Sequence, residues 1–239
     1  MSLSKNRRAF LISSVAAVSA ATFGVPLSTL SAAEVAASIA PDLASYKPVF
    51  FSVDEMKVVS AVCDRLIPSD AEGPGALDTN VPIFIDQQLA GDYGSDWYLQ
   101  GPFDPHPDPL MGYQLPYRPQ DMYRRGLKAM TAYCQKTRQK DFTALSDKDK
   151  DAVLADLEKN TAKFTEFGED MMSAGTFFGQ VLSDTKNGYL ADPMYGGNKG
   201  MAAWKMIGFP GARASYVEWV TQHNIKYPLG PVSVKGERA

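Results

Sequence analysis

The chain has 239 residues, 45% hydrophobic and 21% charged, which fits one large domain with enough apolar area for a real core. Lys and Arg number 24 against 27 Asp and Glu. The first 33 residues hold three of those bases and no acid, so the remainder carries 21 against 27, a net −6, and no basic surplus is left to grip nucleic acid.

The chain opens with Lys5, Arg7 and Arg8, followed by an uncharged stretch from Ala9 to Val25 and then a run of small residues ending near Ala33 or Ala37. That order is the basic start, apolar centre and small-residue cleavage site of a secretory signal. A retained membrane anchor is the alternative, but the serines, Gly24 and Pro26 dilute the apolar run that a span of about 20 residues needs. Arg7-Arg8 followed by Phe10 and Leu11 resembles the twin-arginine export signal of bacteria, with Asn6 in place of the commoner Ser or Thr. The expected organisation is a signal over 1–33, a linker over 34–49 and a single domain over 50–239.

Ser52 and Glu55 form a capping box, and Met56, Val59, Cys63, Leu66 and Ile67 then fall on one helical face until Pro68 stops it. A short helix follows, with Pro82 near its start, Ile83, Phe84 and Leu89 inward, and Gly91 as its stop. From Gly91 to Pro119 the chain is irregular, with six prolines among Trp97, Tyr98, Phe103, Tyr113 and Tyr117. Disordered loops are poor in aromatics, so this one is expected to be ordered and to lie against something.

Tyr123, Leu127, Met130 and Cys134 make the stripe of the next helix. Ser146 caps a shorter one that buries Val153, Leu154 and Leu157. Phe164, Phe167, Met171, Ala174, Phe178 and Leu182 predict a single long helix ending near Gly188. A brief turn or helix around Trp204 and an extended tail from Tyr227 complete the chain. The fold class expected is mainly α: a helical bundle with long ordered loops rich in Pro, Gly and aromatics.

Cys63 and Cys134 are the two cysteines. In an exported protein such a pair is expected to be a disulfide, closing a loop of about 70 residues worth roughly 4 kcal/mol; two separate buried thiols are the alternative.

Catalytic signatures are missing from the sequence. The two histidines, His106 and His223, lie in a proline loop and near the C-terminal end, with no regular metal-ligand spacing. There is no dinucleotide-binding glycine motif after a strand, no C-x-x-C-H and no nucleophile elbow. The C-terminal third instead sets Tyr189, Tyr195, Trp204, Phe209, Tyr216, Trp219 and Tyr227 around turns at Asp192-Pro193, Gly196-Gly197-Asn198 and Phe209-Pro210-Gly211. Aromatics fixed on rigid loops serve either an internal mini-core or a partner surface.

That stretch, "ADPMYGGNKGMAAWKMIGFPGA", together with "DRLIPSDAEGPGA", "YLQGPF", "GYQ" and "YRRGL" upstream, resembles the gluconate 2-dehydrogenase subunit 3 family, the small subunits of membrane-bound flavin-dependent sugar dehydrogenases. The resemblance runs from about Phe50 to Val232. It implies a subunit with no cofactor of its own. Its partners would be a large GMC-type subunit holding FAD and a multihaem cytochrome c subunit carrying haem c. The complex would lie at the outer, periplasmic face of the cytoplasmic membrane. It further implies that the small subunit lends its twin-arginine leader to the large one at the translocase. On this reading Trp97, Tyr98, Phe103, Tyr113, Asp192, Tyr195, Gly196, Gly197, Asn198, Trp204, Phe209 and Pro210 are the expected partner contact. In the alternative the subunit completes the substrate pocket, with Asp192, Asn198 or Lys199 reaching a carboxylate or hydroxyl. Which sugar acid or polyol is oxidised would be set in the large subunit.

Overall fold

The computed structural model describes residues 41–104 and 108–239. The leader with Arg7, Arg8, Phe10 and Leu11, the linker up to residue 40, and His106 lie outside the described residues. Seven α-helices occur among them: α1 Val53–Leu66, α2 Val81–Ala90, α3 Asp92–Ser95, α4 Pro119–Arg138, α5 Asp147–Glu158, α6 Ala174–Leu190 and α7 Ala202–Ile207. The described residues form no β-strand, only isolated bridges joining Gly211 to Val232 and Val232 to Arg238. None of these helices is long and apolar enough to cross a membrane. The mainly α fold is as the periodicity predicts.

The helix starts follow from local chemistry. Glu55 N–H donates to Ser52 Oγ at 3.2 Å while Ser52 N–H donates to Glu55 Oε2 at 2.8 Å, the reciprocal capping box on α1. Ser146 and Ser173 cap α5 and α6 by their side chains alone, accepting from Asp149 N–H and Thr176 N–H. α6 is the centre of the bundle and packs against α1, α2, α4, α5 and α7. Its close fit to α4 requires a glycine: a Cβ at Gly126 would lie 2.1 Å from the Phe177 ring. On the outside, Arg65 of α1 donates to both carboxylate oxygens of Asp151 on α5, at 2.7 and 2.8 Å.

Two expectations are corrected. The long helix over 163–188 is broken. Phe164–Phe167 is a 3-10 turn, Gly168 takes φ 79°, and α6 begins only at Ala174. The Glu169 carboxylate causes the break by accepting the amides of Met171 and Met172 at 2.9 and 2.8 Å, which a continuous helix would have bonded to backbone carbonyls. The buried stripe of α6 is therefore Phe177, Val181, Asp184, Thr185 and Gly188, while Phe178 is half-buried.

The second correction is the disulfide. Cys63 and Cys134 are both free and buried. Cys63 Sγ faces Thr185 Oγ1 at 3.6 Å, committed to α6 rather than to Cys134 on α4. Burial pushes the Cys63 thiol up to about 12 and the Cys134 thiol up to about 11, so neither forms the reactive thiolate at neutral pH.

The α4–α6 contact generates a prediction. Gly126→Ala is expected to lower stability by about 1–3 kcal/mol, the usual result of overpacking a closed contact. Denaturant melts measure it, and an unchanged midpoint would show that Phe177 can move aside.

Candidate functional site

Three buried carboxylates position the irregular segments, and they define which aromatics remain available to a partner. Asp86 on α2 is fully buried. It accepts from Tyr46 OH at 2.7 Å and from the amides of Val49, Phe50 and Phe51 at 2.7, 3.0 and 2.8 Å, binding the entering chain to α2. Glu169, also buried, accepts from Tyr117 OH at 3.0 Å and stands 3.5 Å from Arg125 Nη1. The Arg125 guanidinium in turn lies over the Tyr117 ring at 4.6 Å. Burial and the Glu169 hydrogen bond push the Tyr117 phenol up to about 12.

Asp184 is the third. Tyr93 OH donates to it at 2.8 Å from α3, Tyr123 OH at 2.9 Å from α4, and Gln180 Nε2 at 2.9 Å from α6. Burial raises its acid above the usual carboxylate range, and the three hydrogen bonds oppose that shift. A cluster of this kind can be an acid–base site only if a substrate reaches it. Asp184 is 4% exposed and its carboxylate is held by donors from the chain itself, so it serves as a structural junction. The described residues contain no group of three or more His, Cys, Asp or Glu placed to hold a metal ion.

The irregular segment after α3 has two rows of side chains. Trp97 packs edge-on between Tyr93 and Tyr113, with ring centroids 6.1 and 5.3 Å away. Tyr113 OH donates to Tyr117 O, which fixes the return of the chain into α4. Phe103 is half-buried. Outside this row stand Tyr98 (86% exposed), Leu110 (94%) and Met111 (62%), and Tyr113 within it keeps 41% exposure. The described part of the segment lies against the bundle through Trp97 and Tyr113, and it leaves an apolar ledge exposed.

The second aromatic region divides differently. Asp192 accepts from Met194 N–H at 3.0 Å and Val234 N–H at 2.7 Å. Asn198 is fully buried, donates to Ala191 O at 2.9 Å and accepts from Ala203 N–H at 3.0 Å. Gly197 lies against α6 so closely that a Cβ would stand 2.2 Å from Gly188 O, and Gly196 takes φ 93° beside Gln87. Trp204 is buried, donates from Nε1 to Leu190 O at 2.8 Å, and meets Phe209 edge-on at 5.0 Å.

Gly197, Asn198 and Trp204 thus serve the chain's own packing, against the expectation that they contact a partner directly. The Asp192 and Asn198 side chains each hold two of the chain's own backbone groups. Tyr195 and Phe209 remain about half exposed, and Asp192 and Pro210 are partly buried. His223 is exposed.

Asp86, Glu169 and Asp184 were absent from the residues singled out by sequence. One signal was present for Asp184: it falls on the same helical stripe as Phe177, Val181 and Gly188, where an acid has to find donors.

The description "gluconate 2-dehydrogenase subunit 3" belongs to the family model that matches residues 53–211. No curated protein and no solved structure gives a match.

Two predictions follow from these geometries. Trp204→Ala is expected to cost about 3–5 kcal/mol of stability, the range for a buried aromatic, whereas Trp204→Phe keeps most of the packing and loses the Nε1 bond. Melts of both variants against the wild type decide it; wild-type stability of Trp204→Ala would mean the indole is not part of the core.

The second concerns pH. Because the folded Asp184 acid titrates above its unfolded value of 3.8, its contribution to stability is fully present below 3.8 and is lost as pH rises through the folded value. Asp184→Asn cannot titrate. The stability of wild type minus Asp184→Asn is therefore expected to fall as pH rises from about 4, by at most about 1.4 kcal/mol per unit. A series of urea melts measures the difference, and a flat line refutes it.

Proposed function

From the premise that the chain belongs to the gluconate 2-dehydrogenase subunit 3 family, and so is a subunit of a dehydrogenase complex, we propose that it works as the non-catalytic small subunit that escorts and stabilises a flavoprotein. The companion is a GMC-type subunit carrying FAD, and a multihaem cytochrome c subunit takes its electrons onward by haem c. The complex acts in the periplasm, at the outer face of the cytoplasmic membrane, on a sugar acid such as gluconate. The twin-arginine translocase moves the two chains together.

The physical logic rests on the order of events. A flavoprotein loaded with FAD before export has to cross the membrane folded. It then needs a leader borrowed through a contact that outlasts translocation. Arg7-Arg8 with Phe10 and Leu11 supplies such a leader.

The observation that carries the reading is the apolar ledge of Tyr98, Leu110, Met111 and Tyr113, held by the Tyr93–Trp97 packing behind it. Contiguous exposed apolar surface marks an interaction site, and obligate interfaces are large and apolar. Tyr195 and Phe209 extend the contact, while Gly196, Gly197, Asn198 and Trp204 shape the backbone that presents them. A ledge ordered in advance loses little conformational freedom on binding, which favours slow dissociation.

The reading is tested at the leader. With Arg7→Lys and Arg8→Lys together, both this chain and the flavoprotein are expected to stay in the cytoplasm, and dehydrogenase activity of the periplasmic and membrane fractions to vanish. Fractionation and blotting give the answer. Normal export of the flavoprotein beside a retained double variant would sink the escort role.

A further inference from the structure

The strap over 41–52, ahead of α1, is held by groups that come much later in the chain. Asn80 Nδ2, 39 residues on, donates to Pro41 O at 2.8 Å. Asp86 on α2 collects Tyr46 OH and the amides of Val49, Phe50 and Phe51 at 2.7, 2.7, 3.0 and 2.8 Å. Arg124 on α4, 74 residues from Phe50, donates to Phe50 O. Its guanidinium lies 4.1 Å from the Phe50 ring centroid and pairs with Glu55 of α1. The Phe51 ring meets Tyr123 of α4 at 5.6 Å, and Leu43, Tyr46 and Phe50 are half-buried against the core.

The strap does little to hold itself. Its own turn bonds Ser45 N–H to Asp42 O at 3.1 Å and Tyr46 N–H to Leu43 O at 3.4 Å, and leaves the amides of 49–51 to Asp86. Those partners are synthesised after the strap, so it has nothing to close on until α2 and α4 fold. Closure is also close to all-or-none. Asp86 is fully buried and its four donors come from one segment of six residues, so a half-open strap leaves a buried carboxylate short of partners.

Position gives the arrangement a use. Only residues 34–40 separate the strap from the expected export signal. Fully extended, they keep the end of the signal within about 30 Å of Pro41, whereas with the strap open the free chain runs to α1 and its reach grows to about 70 Å. An open strap also bares Leu43, Tyr46, Phe50 and Phe51 beside the signal.

We propose that residues 41–52 are a fold-dependent latch: they close on α2 and α4 only when both are in place, and closing presents the export signal on a short tether from a finished domain. A translocase that moves folded cargo then meets the signal without loose apolar chain next to it. The proposal rests on the reading of residues 1–33 as an export signal and does not involve the flavoprotein.

The experiment uses the full chain alone and breaks the latch from each side. Tyr46→Phe/Val49→Pro removes two of the four donors, and Val49 is 72% exposed, so its side chain is no part of the core. Asp86→Asn keeps the size of the acceptor and turns one of its two oxygens into a donor. Hydrogen exchange follows the amides of Phe50 and Phe51 against those of α4 and α6, and fractionation follows export to the periplasm. In both variants the two strap amides are expected to exchange at least about tenfold faster with α4 and α6 unchanged, and export to fall at least about threefold.

Three results overturn the latch. Strap amides that exchange as fast in the wild type as in the variants show that it is not closed. Faster strap exchange with wild-type export makes it a structural tie and nothing more. Loss of α4 and α6 protection in both variants makes it inseparable from the core. The Arg7→Lys/Arg8→Lys chain is the control: export equal to wild type removes the signal reading and the proposal with it, a failure told apart because it leaves the exchange data unchanged.

Discussion

The carboxylate of Asp184 keeps the bundle in register. It lies on α6, the helix with the most neighbours, and receives donors from α3, α4 and α6 itself. A buried carboxylate without partners costs several kcal/mol, so arrangements that lose one donor are disfavoured well beyond the worth of an average hydrogen bond. Sliding α4 by one turn moves Tyr123 about 5.4 Å and breaks its bond to Asp184. Apolar packing at Val59, Phe177 and Val181 would tolerate such slips more easily, since it is not directional. Burial and the nearby Asp184 charge raise the Tyr93 and Tyr123 phenols, which keeps both protonated and able to donate.

The same device recurs where the chain is irregular. Asp86 gathers three consecutive amides and a tyrosine from the 46–51 segment, and Glu169 gathers two amides and Tyr117. Asn198 does it with a neutral side chain, bonding Ala191 and Ala203 across the turn. Each acceptor satisfies backbone groups that no helix or sheet provides for. Long loops can then be as fixed as helices while placing Tyr98, Tyr113 and Tyr195 outward. The polar core and the apolar surface are thus two sides of one arrangement.

How much of this could be read from the sequence differs by element. α1, α4 and α5 were legible because their apolar residues recur every three or four positions, and α1 and α5 also start on Ser caps. The break at Gly168–Ser173 was not, since Phe164, Phe167, Met171 and Ala174 keep helical spacing straight through it; the deciding group is the Glu169 side chain, whose partners are set by tertiary contact. The disulfide was expected from compartment and count, but Cys63 is held by Thr185, a pairing that sequence spacing does not reveal. Residue type marked the aromatics around 192–210 without saying which way each one faces. Trp204 turned inward because its indole N–H found Leu190 O, while Tyr195 on the neighbouring turn stayed out.

A subunit of this kind has to combine a fixed shape with an exposed apolar surface, and the two conflict. Exposed apolar side chains on a loosely held loop invite wrong contacts and lose much conformational freedom when the right one forms. The chain separates the tasks by position. Trp97 packs between Tyr93 and Tyr113 behind the ledge, and Tyr227 packs on Trp219 in the C-terminal segment. Tyr93 and Trp97 do the inner packing while Tyr98, Leu110 and Met111 stay exposed, so in this fold shape and apolar surface are carried by different residues.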